Sequence, residues 1–514
     1  MFRFFIERIR LSLLKNIQWH NFSYLLLFLL VFIHYTGPLW DIDLWWHLAE
    51  GRSIFENKSL LDNDPFLFTS EIFPPQKERI APLNGYWLAQ ILFYLVHQFF
   101  GDYGMIFFRA AILMSVVLLG FYFSFNSQLN EKKENYIFIL PWTIAAISLS
   151  YFSGTRPAFF SFLFAIIVFH VLEQMRLQAN KGKFEIKKAV FLSAIMLIWA
   201  NMHRGVIMGL AIISITILSE IILKLYKKDN FTKQYRYFIY TGIISFLTAG
   251  ICPNHFSYFY TLIFSQSQGL TSRVTEYLSP FTLLLNHNKH MGFFWLFFIS
   301  YFVVIIYFQK RIKFSHFVIT FIFGLMSLVH SRVIPFFVII GAYILCIYIP
   351  EFIKKEKNKQ YNIFAFGLAF LFLFLSLLAN RKALVEQFNS PLAKNRYPEN
   401  ALQYIRHDGV QKNIFNHFNW GGYLEYHLYP NYKFFIDGRN LNLRVFSDYT
   451  YILWDEINGK KLLNFYKINT VIIPYANPFT GEPYKLVQYM KKDKNWHTVF
   501  ADETSIIFER KQTN

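Results

Sequence analysis

The stretch PLWDIDLWWHLAEGR, residues 38–52, lies directly after the first long apolar run of this 514-residue chain. It combines carboxylates, tryptophans, a histidine and an arginine within a few turns of backbone. Asp41 and Asp43 form a D-x-D pair, which can hold a divalent cation or supply one carboxylate as a general base. On a second interpretation, the aspartates cap a helix that Trp45 and Trp46 anchor at the membrane interface.

The composition predicts a protein that crosses the membrane many times. Apolar residues make up 54% of the chain, aromatic residues 20% and charged residues only 16%, with a mean hydropathy of +0.29. Soluble domains carry about a quarter charged residues. Five apolar runs approach the ~20 residues that a helix needs to cross a bilayer. These runs are 21–39, 105–125, 157–174, 205–225 and 332–350.

Charge distribution predicts the topology. The net charge of +19 is concentrated in short segments between apolar runs, as expected for cytoplasmic loops. It therefore does not indicate a nucleic-acid partner. With a cytoplasmic N-terminus, we predict about eleven transmembrane helices in the lipid bilayer. They lie near 21–39, 104–126, 136–152, 156–174, 188–202, 205–225, 237–252, 291–308, 314–329, 332–350 and 362–380.

Two parts are predicted. Residues 1–380 form a transmembrane domain, whose first outer loop, 40–103, carries surface helices at 44–57 and 86–99. Residues 381–514, called the tail below, are predicted to form a small α/β domain outside the cytoplasm. Alternating segments at 432–437, 469–475 and 504–510 predict its strands, and two stretches beginning at Glu399 and Tyr451 predict its helices.

Further ionisable residues are predicted near the outer ends of the transmembrane helices, in the outer loop and in the tail. Ionisable groups near membrane depth are costly and usually face a cavity or a partner. Together they predict a cationic cleft with a carboxylate rim, suited to a lipid phosphate that arginine can grip bidentately. Individually, these residues also fit purely structural roles. Arginines can reach lipid headgroups, Glu276 can lie on the surface, and Asp437 and Arg439 can form a brace at a strand end. The candidates are His47, Arg52, Arg156, His203, Arg204, Glu276, His330, Arg332, Asp437 and Arg439.

Taken together and in order, several motifs resemble the GT-C superfamily, specifically a glycosyltransferase-like group of bacterial membrane proteins. They are DIDLWWHLAEGRSIFE, DNDPFLFTS, NGYWLAQILFYL, TRPAFFSFLF, WANMHRGVIMGL, TEYLSP, HSRVIPFF and NWGGYLEYHLYPNYKFFIDGR. The resemblance implies a transferase with a polyprenyl-phosphate-linked sugar as donor. It assigns Asp41 or Asp43 as base, acceptor ligand or metal ligand, and points to Arg156, Arg204 and Arg332 for the donor phosphate.

One departure from that group concerns Asn84-Gly85-Tyr86-Trp87, where many members have an acidic residue before the tryptophan. This favours Asp41 and Asp43 as the acids. The resulting hypothesis is inverting hexosyl or pentosyl transfer to a glycan, lipid or protein acceptor, outside the bacterial cytoplasmic (inner) membrane, with Mg²⁺ or Mn²⁺ as a potential cofactor. The alternative is a non-enzymatic factor that hands over lipid-linked glycan for envelope polysaccharide assembly. A transporter is disfavoured, since the polar residues collect at span mouths on one side.

Overall fold

The computed structural model describes residues 19–76, 81–127, 138–257, 278–285, 290–349, 358–478 and 480–511. The predicted cytoplasmic N-terminal segment and Glu276 lie outside these ranges. The described chain is mainly helical, with one four-stranded sheet near its end.

Helices occur over each of the predicted spans. They are α1 (Trp19–His34), α3 (Trp87–Ser127), α4 (Ile139–Leu149), α5 (Ala158–Asn180), α6 (Ile186–Met202), α7 (Val206–Lys227), α8 (Lys233–Ala249), α9 (His290–Tyr307), α10 (Phe314–Val329), α11 (Ile334–Tyr348) and α12 (Asn358–Ala379). Between α1 and α3 lies α2 (Asp43–Asn57). A short helix, α13 (Arg381–Asn389), follows α12.

Four helices of the described chain are long and apolar enough to cross a membrane. They are Trp87–Asn126, Ala158–Asn180, Val206–Lys227 and Ser331–Tyr348; five further apolar helices are shorter, with 10–17 residues. A polytopic helical membrane protein is therefore supported, whereas the number eleven stays a prediction. The helix α3 is interrupted at Gly101, whose φ of 61° lies in the left-handed region. That break separates the predicted surface helix at 86–99 from the predicted span at 104–126.

The tail contains a small sheet of order β1-β2-β4-β3. The strands are β1 (Ile414–Asn416), β2 (Thr470–Ile473), β3 (Trp496–Ala501) and β4 (Ile506–Arg510); β1 pairs with β2 in parallel and the other pairs are antiparallel. The helices are α14 (Glu399–Asp408), α15 (Gly421–Leu428), α16 (Leu443–Trp454), α17 (Glu456–Phe465) and α18 (Lys485–Met490). The predicted α/β character is present, and the boundary at 380–381 stays a prediction.

The predicted strand at 432–437 is wrong. Phe434 makes only isolated bridges, to Leu67 and Ile414. The Asn416 side chain takes the place of a strand partner: its Oδ1 accepts from Phe435 N and Ile436 N, and its Nδ2 donates to Ile436 O at 2.7 Å. The segment therefore satisfies its backbone without a continuous ladder.

The tail packs directly on α2, which corrects the interfacial interpretation of its tryptophans. Trp45 is 1% exposed and Trp46 6% exposed. The Trp45 ring lies 5.6 Å from Tyr397 and 4.9 Å from Tyr423, both residues of the tail. These tryptophans therefore lie in a core between α2 and the tail and do not face lipid headgroups.

Gly421 and Gly422 permit this close packing. Both residues begin α15 in helical geometry. A Cβ on Gly422 would lie 2.8 Å from the backbone nitrogen of Trp46. Gly422 is therefore required for the backbone approach between the tail and α2, whereas Gly421 allows α15 to approach Ile436 and Asp437 within the tail.

A buried charge cluster, the Arg439 cluster, joins the tail to α2 and to the loop before α3. The Arg439 guanidinium contacts Glu50 and Asp64 at 2.8 and 3.0 Å, Glu425 at 3.5 Å, and its neighbour Asp437. All five side chains are fully buried. Four carboxylates thus surround one cation, and burial raises the pKa of Glu50 to about 8, with Arg439 opposing this shift. Burial also raises the pKa values of Glu425 and Asp437.

Arg439→Met should destabilise the protein strongly, by about 3–5 kcal/mol, because removal of one partner leaves buried carboxylates uncompensated. The measurement is denaturant unfolding in a detergent micelle. Arg444→Met is the control, since the Arg444 side chain is 64% exposed. Equal stabilities for the two variants would contradict the assigned role of Arg439.

Stability should fall as pH rises through about 8. A carboxyl whose pKa is raised on folding contributes stability that is present below its unfolded pKa and lost as pH passes its folded pKa. Thermal midpoints between pH 6 and 9 provide the measurement. Glu50→Gln should reduce the decline, whereas Glu56→Gln, on an exposed side chain of the same helix, should not.

Candidate functional site

The acidic pair Asp41 and Asp43 lies on Arg156. The Arg156 Nε and Nη2 donate to the two oxygens of Asp41 at 2.6 and 3.0 Å, and Nη1 lies 3.3 Å from Asp43 Oδ2. The predicted convergence of these residues is therefore observed. Their exposures differ: the Asp41 side chain is 1% exposed, whereas those of Asp43 and Arg156 are 24% and 22% exposed. Asp43 is consequently the carboxylate that a ligand can reach.

Two neighbours determine how closely Arg156 approaches the pair. A Cβ on Gly154 would lie 2.2 Å from Asp41 Oδ2, so only glycine fits there. Arg109 of α3 is fully buried and connects both segments: it donates to the Tyr35 and Gly37 carbonyls and to Thr155 Oγ1. Sequence reasoning missed Arg109, because it lies inside an apolar helix far along the chain from the D-x-D motif.

Trp46 connects the acidic pair to a second group, the Tyr86 cluster, formed by Tyr86, His47, His203 and Arg204. Trp46 Nε1 donates to Asp43 Oδ1 at 3.1 Å, and its ring lies 6.0 Å from that of Tyr86. The Tyr86 ring lies 5.2 Å from His47, 5.5 Å from His203 and 5.5 Å from the Arg204 guanidinium. The three predicted residues, His47, His203 and Arg204, therefore meet on Tyr86, which is not itself among the predicted site residues.

Positive charge converges on this region. Burial lowers the pKa of His47 well below its usual value, and the charges of Arg156, Arg439 and Arg204 lower it further. His47 Nδ1 lies 3.3 Å from Gln90 Nε2, which also donates to Glu50 of the Arg439 cluster. At neutral pH His47 is therefore an uncharged ring beside two partly exposed arginines.

The tautomer of His203 follows from its contacts. Gly205 N donates to His203 Nδ1 at 3.0 Å, so this nitrogen carries a lone pair. Ser161 Oγ lies 2.6 Å from the same atom and itself accepts from Trp199 Nε1 at 2.7 Å. Ser161 therefore donates to Nδ1, and the proton of the neutral ring resides on Nε2. His203 can act through Nε2 as a hydrogen-bond donor.

The other predicted site residues lie elsewhere. Arg52 donates to Tyr429 O at 3.2 Å and stacks on Tyr426, so it contacts the tail. Asp437 and Arg439 are fully buried in the Arg439 cluster, where they brace the tail; Gly438 between them adjoins Asp43. His330 and Arg332 lie at the short turn before α11, outside the contacts described above. Glu276 is not among the described residues.

A divalent cation fits this donor set poorly. Both Asp41 oxygens accept guanidinium hydrogens, and the described residues include no group of three or more His, Cys, Asp or Glu side chains suited to a metal. The predicted metal role of the D-x-D pair therefore has no geometric support within the described ranges.

No family model and no curated protein matches the sequence. Among solved structures, the chain is similar to the oligosaccharyltransferase AglB of Archaeoglobus fulgidus in complex with an inhibitory peptide and a dolichol-phosphate. The TM-score is 0.62 at 9% identity, over 89% of this chain and 69% of that chain. It is also similar to ArnT of Cupriavidus metallidurans bound to undecaprenyl phosphate, with a TM-score of 0.51 at 11% identity, over 95% and 97% of the two chains. Both are GT-C glycosyltransferases. At these identities the likeness shows the fold alone, and the chain has the fold of these two solved structures.

Proposed function

We propose that this protein transfers a hexosyl or pentosyl group from a polyprenyl-phosphate donor to a glycan, lipid or protein acceptor. The reaction takes place at the outer face of the bacterial cytoplasmic membrane. The observation that carries the proposal is the partly exposed Asp43 carboxylate, connected through Trp46 to Tyr86, His203 and Arg204. The solved structures of similar fold support a lipid-phosphate ligand, because they contain dolichol-phosphate and undecaprenyl phosphate.

Asp43 is the base. It accepts the proton of the acceptor hydroxyl while that hydroxyl oxygen attacks the anomeric carbon. The bond between the anomeric carbon and the phosphate oxygen of the donor breaks at the same time. The bonding electrons leave with the polyprenyl phosphate, and attack from the opposite face inverts the anomeric centre. Phosphate is a stable leaving anion, so the step needs no protonating acid.

Arg204 and His203 bind the departing phosphate. The Arg204 guanidinium lies over Tyr86 and is only partly buried, so its donors can reach a lipid headgroup. The Nε2 proton of His203 adds a neutral donor. Cationic and dipolar donors arranged before the reaction stabilise the charge that develops on the leaving group. Asp41 has a different role: it positions Arg156.

The tail borders the acceptor side of Asp43. A Cβ on Gly438 would lie 2.7 Å from Asp43 Oδ1, so this loop approaches the carboxylate closely. Tyr397 of the tail donates to the Asp41 carbonyl at 3.1 Å. The tail thus covers the base from one side and binds part of the acceptor.

Asp43→Asn should lower sugar transfer by about 10²–10⁴-fold, the usual contribution of a general base, and leave folding intact. The assay follows loss of label from radiolabelled polyprenyl-phosphate sugars in lipid nanodiscs, with candidate acceptors present. Asp62→Asn, at an exposed carboxylate of the same loop, is the matched control. Unchanged transfer by Asp43→Asn would exclude Asp43 as the general base. Tight donor binding without turnover in wild type would favour the alternative function, a non-enzymatic factor that hands over lipid-linked glycan.

His203→Ala should weaken polyprenyl-phosphate binding about 10- to 100-fold, because a hydrogen bond to a charged group contributes about 1.5–3 kcal/mol. His203→Gln, which retains an N–H donor, should recover part of the loss. Ligand-induced shifts of the thermal midpoint provide the dissociation constants. Equal affinities for wild type and His203→Ala would exclude His203 from the phosphate site.

A further inference from the structure

A guanidinium lies where a D-x-D motif would be expected to hold a metal ion. Three nitrogens of Arg156 face the acidic pair: Nε and Nη2 face Asp41, and Nη1 faces Asp43. The contact at 2.6 Å is short for a nitrogen–oxygen pair, as charge-assisted bidentate pairs are. The carboxylates are thus already bridged by a cation of the chain itself.

This arrangement competes with a divalent ion for the same oxygens. Mg²⁺ binds oxygen ligands at about 2.0–2.1 Å in near-octahedral geometry. The Asp41 oxygens accept from Arg156, and Oδ1 also accepts from Asp43 N at 3.1 Å. A metal on the Asp41 oxygens would lie close to the guanidinium and be repelled by its charge. Metal binding would therefore require Arg156 to leave.

The surrounding chain holds Arg156 in place. Gly154 leaves no room for a Cβ beside Asp41 Oδ2, and that same Cβ would lie 3.3 Å from Arg156 Nε. Arg109 ties the segment before Asp41 to Thr155, next to Arg156. Both neighbouring segments thus hold the ion pair in place, and the buried Asp41 carboxylate would be costly without this partner.

We propose that Arg156 takes the place of a divalent cation at the D-x-D pair, so that the site works without a bound metal. This inference rests on the proposed function for its catalytic meaning. Arg156 neutralises one of the two carboxylates and supplies a permanent positive charge beside Asp43. An arginine charge does not depend on metal supply or on pH in the physiological range.

Electron paramagnetic resonance of Mn²⁺ tests the inference independently of activity. Purified wild type in nanodiscs is titrated with Mn²⁺ to about 1 mM. It should bind no more Mn²⁺ than the Asp41→Asn/Asp43→Asn variant does. Arg156→Gln, which leaves both carboxylates unneutralised, should bind Mn²⁺ at least tenfold more tightly than wild type. Arg444→Gln, at an exposed arginine of the tail, is the control and should match wild type.

One stoichiometric Mn²⁺ on wild type, removed by the double aspartate variant, would overturn the proposal. The activity assay adds a second test: EDTA should change transfer by less than twofold, and loss of transfer on EDTA with recovery on Mn²⁺ would also overturn it. If wild type turns over no lipid-linked sugar under any condition, the proposed function fails, while the Mn²⁺ titration still decides the role of Arg156. If Arg156→Gln does not fold, Arg156→Lys, which retains the positive charge, takes its place in the titration.

Discussion

An arginine bonded to two carboxylates is the interaction around which the candidate site is arranged. Arg156 begins the segment that leads into α5, whereas Asp41 precedes α2 and Asp43 is its first residue, so this contact joins two distant parts of the chain. In surroundings of low dielectric, such a pair is strong only when its geometry is good and its remaining polar atoms are satisfied. Arg109 and Gly154 provide that geometry. The accessible carboxylate, Asp43, then lies beside Trp46 and Tyr86.

The tail depends on a second buried charge arrangement of different character. The Arg439 cluster has an excess of carboxylates over cations and is closed to solvent, so it suits the attachment of the tail rather than ligand binding. Gln90 and His47 connect it to the Tyr86 cluster through hydrogen bonds. The position of Gly438 next to Asp43 therefore depends on the integrity of the Arg439 cluster. This couples docking of the tail to the surroundings of the proposed base.

Much of the architecture could be predicted from the sequence, because apolar runs and turn residues act locally. The helix over residues 43–57, the break near residue 100 and the strands near 470 and 506 all follow from such local patterns. Partnership across the chain could not be predicted in the same way. The resemblance assigns Arg156 to the donor phosphate, and motif spacing does not reveal that Asp41, 115 positions earlier, also binds Arg156. Likewise, the pattern of α2 does not reveal that the tail covers its tryptophans. Alternation at 432–437 predicts a strand, but the Asn416 side chain, and not a neighbouring strand, binds the backbone of that segment.

The position of a bound lipid phosphate tests the central claim most directly. The measurement is an electron cryo-microscopy map of the protein in nanodiscs with undecaprenyl phosphate. The account predicts phosphate density within hydrogen-bond reach of the Arg204 guanidinium and His203 Nε2, on the side of Tyr86 that faces Asp43. Phosphate density at the opposite ends of the helices, among the basic loops, would contradict it.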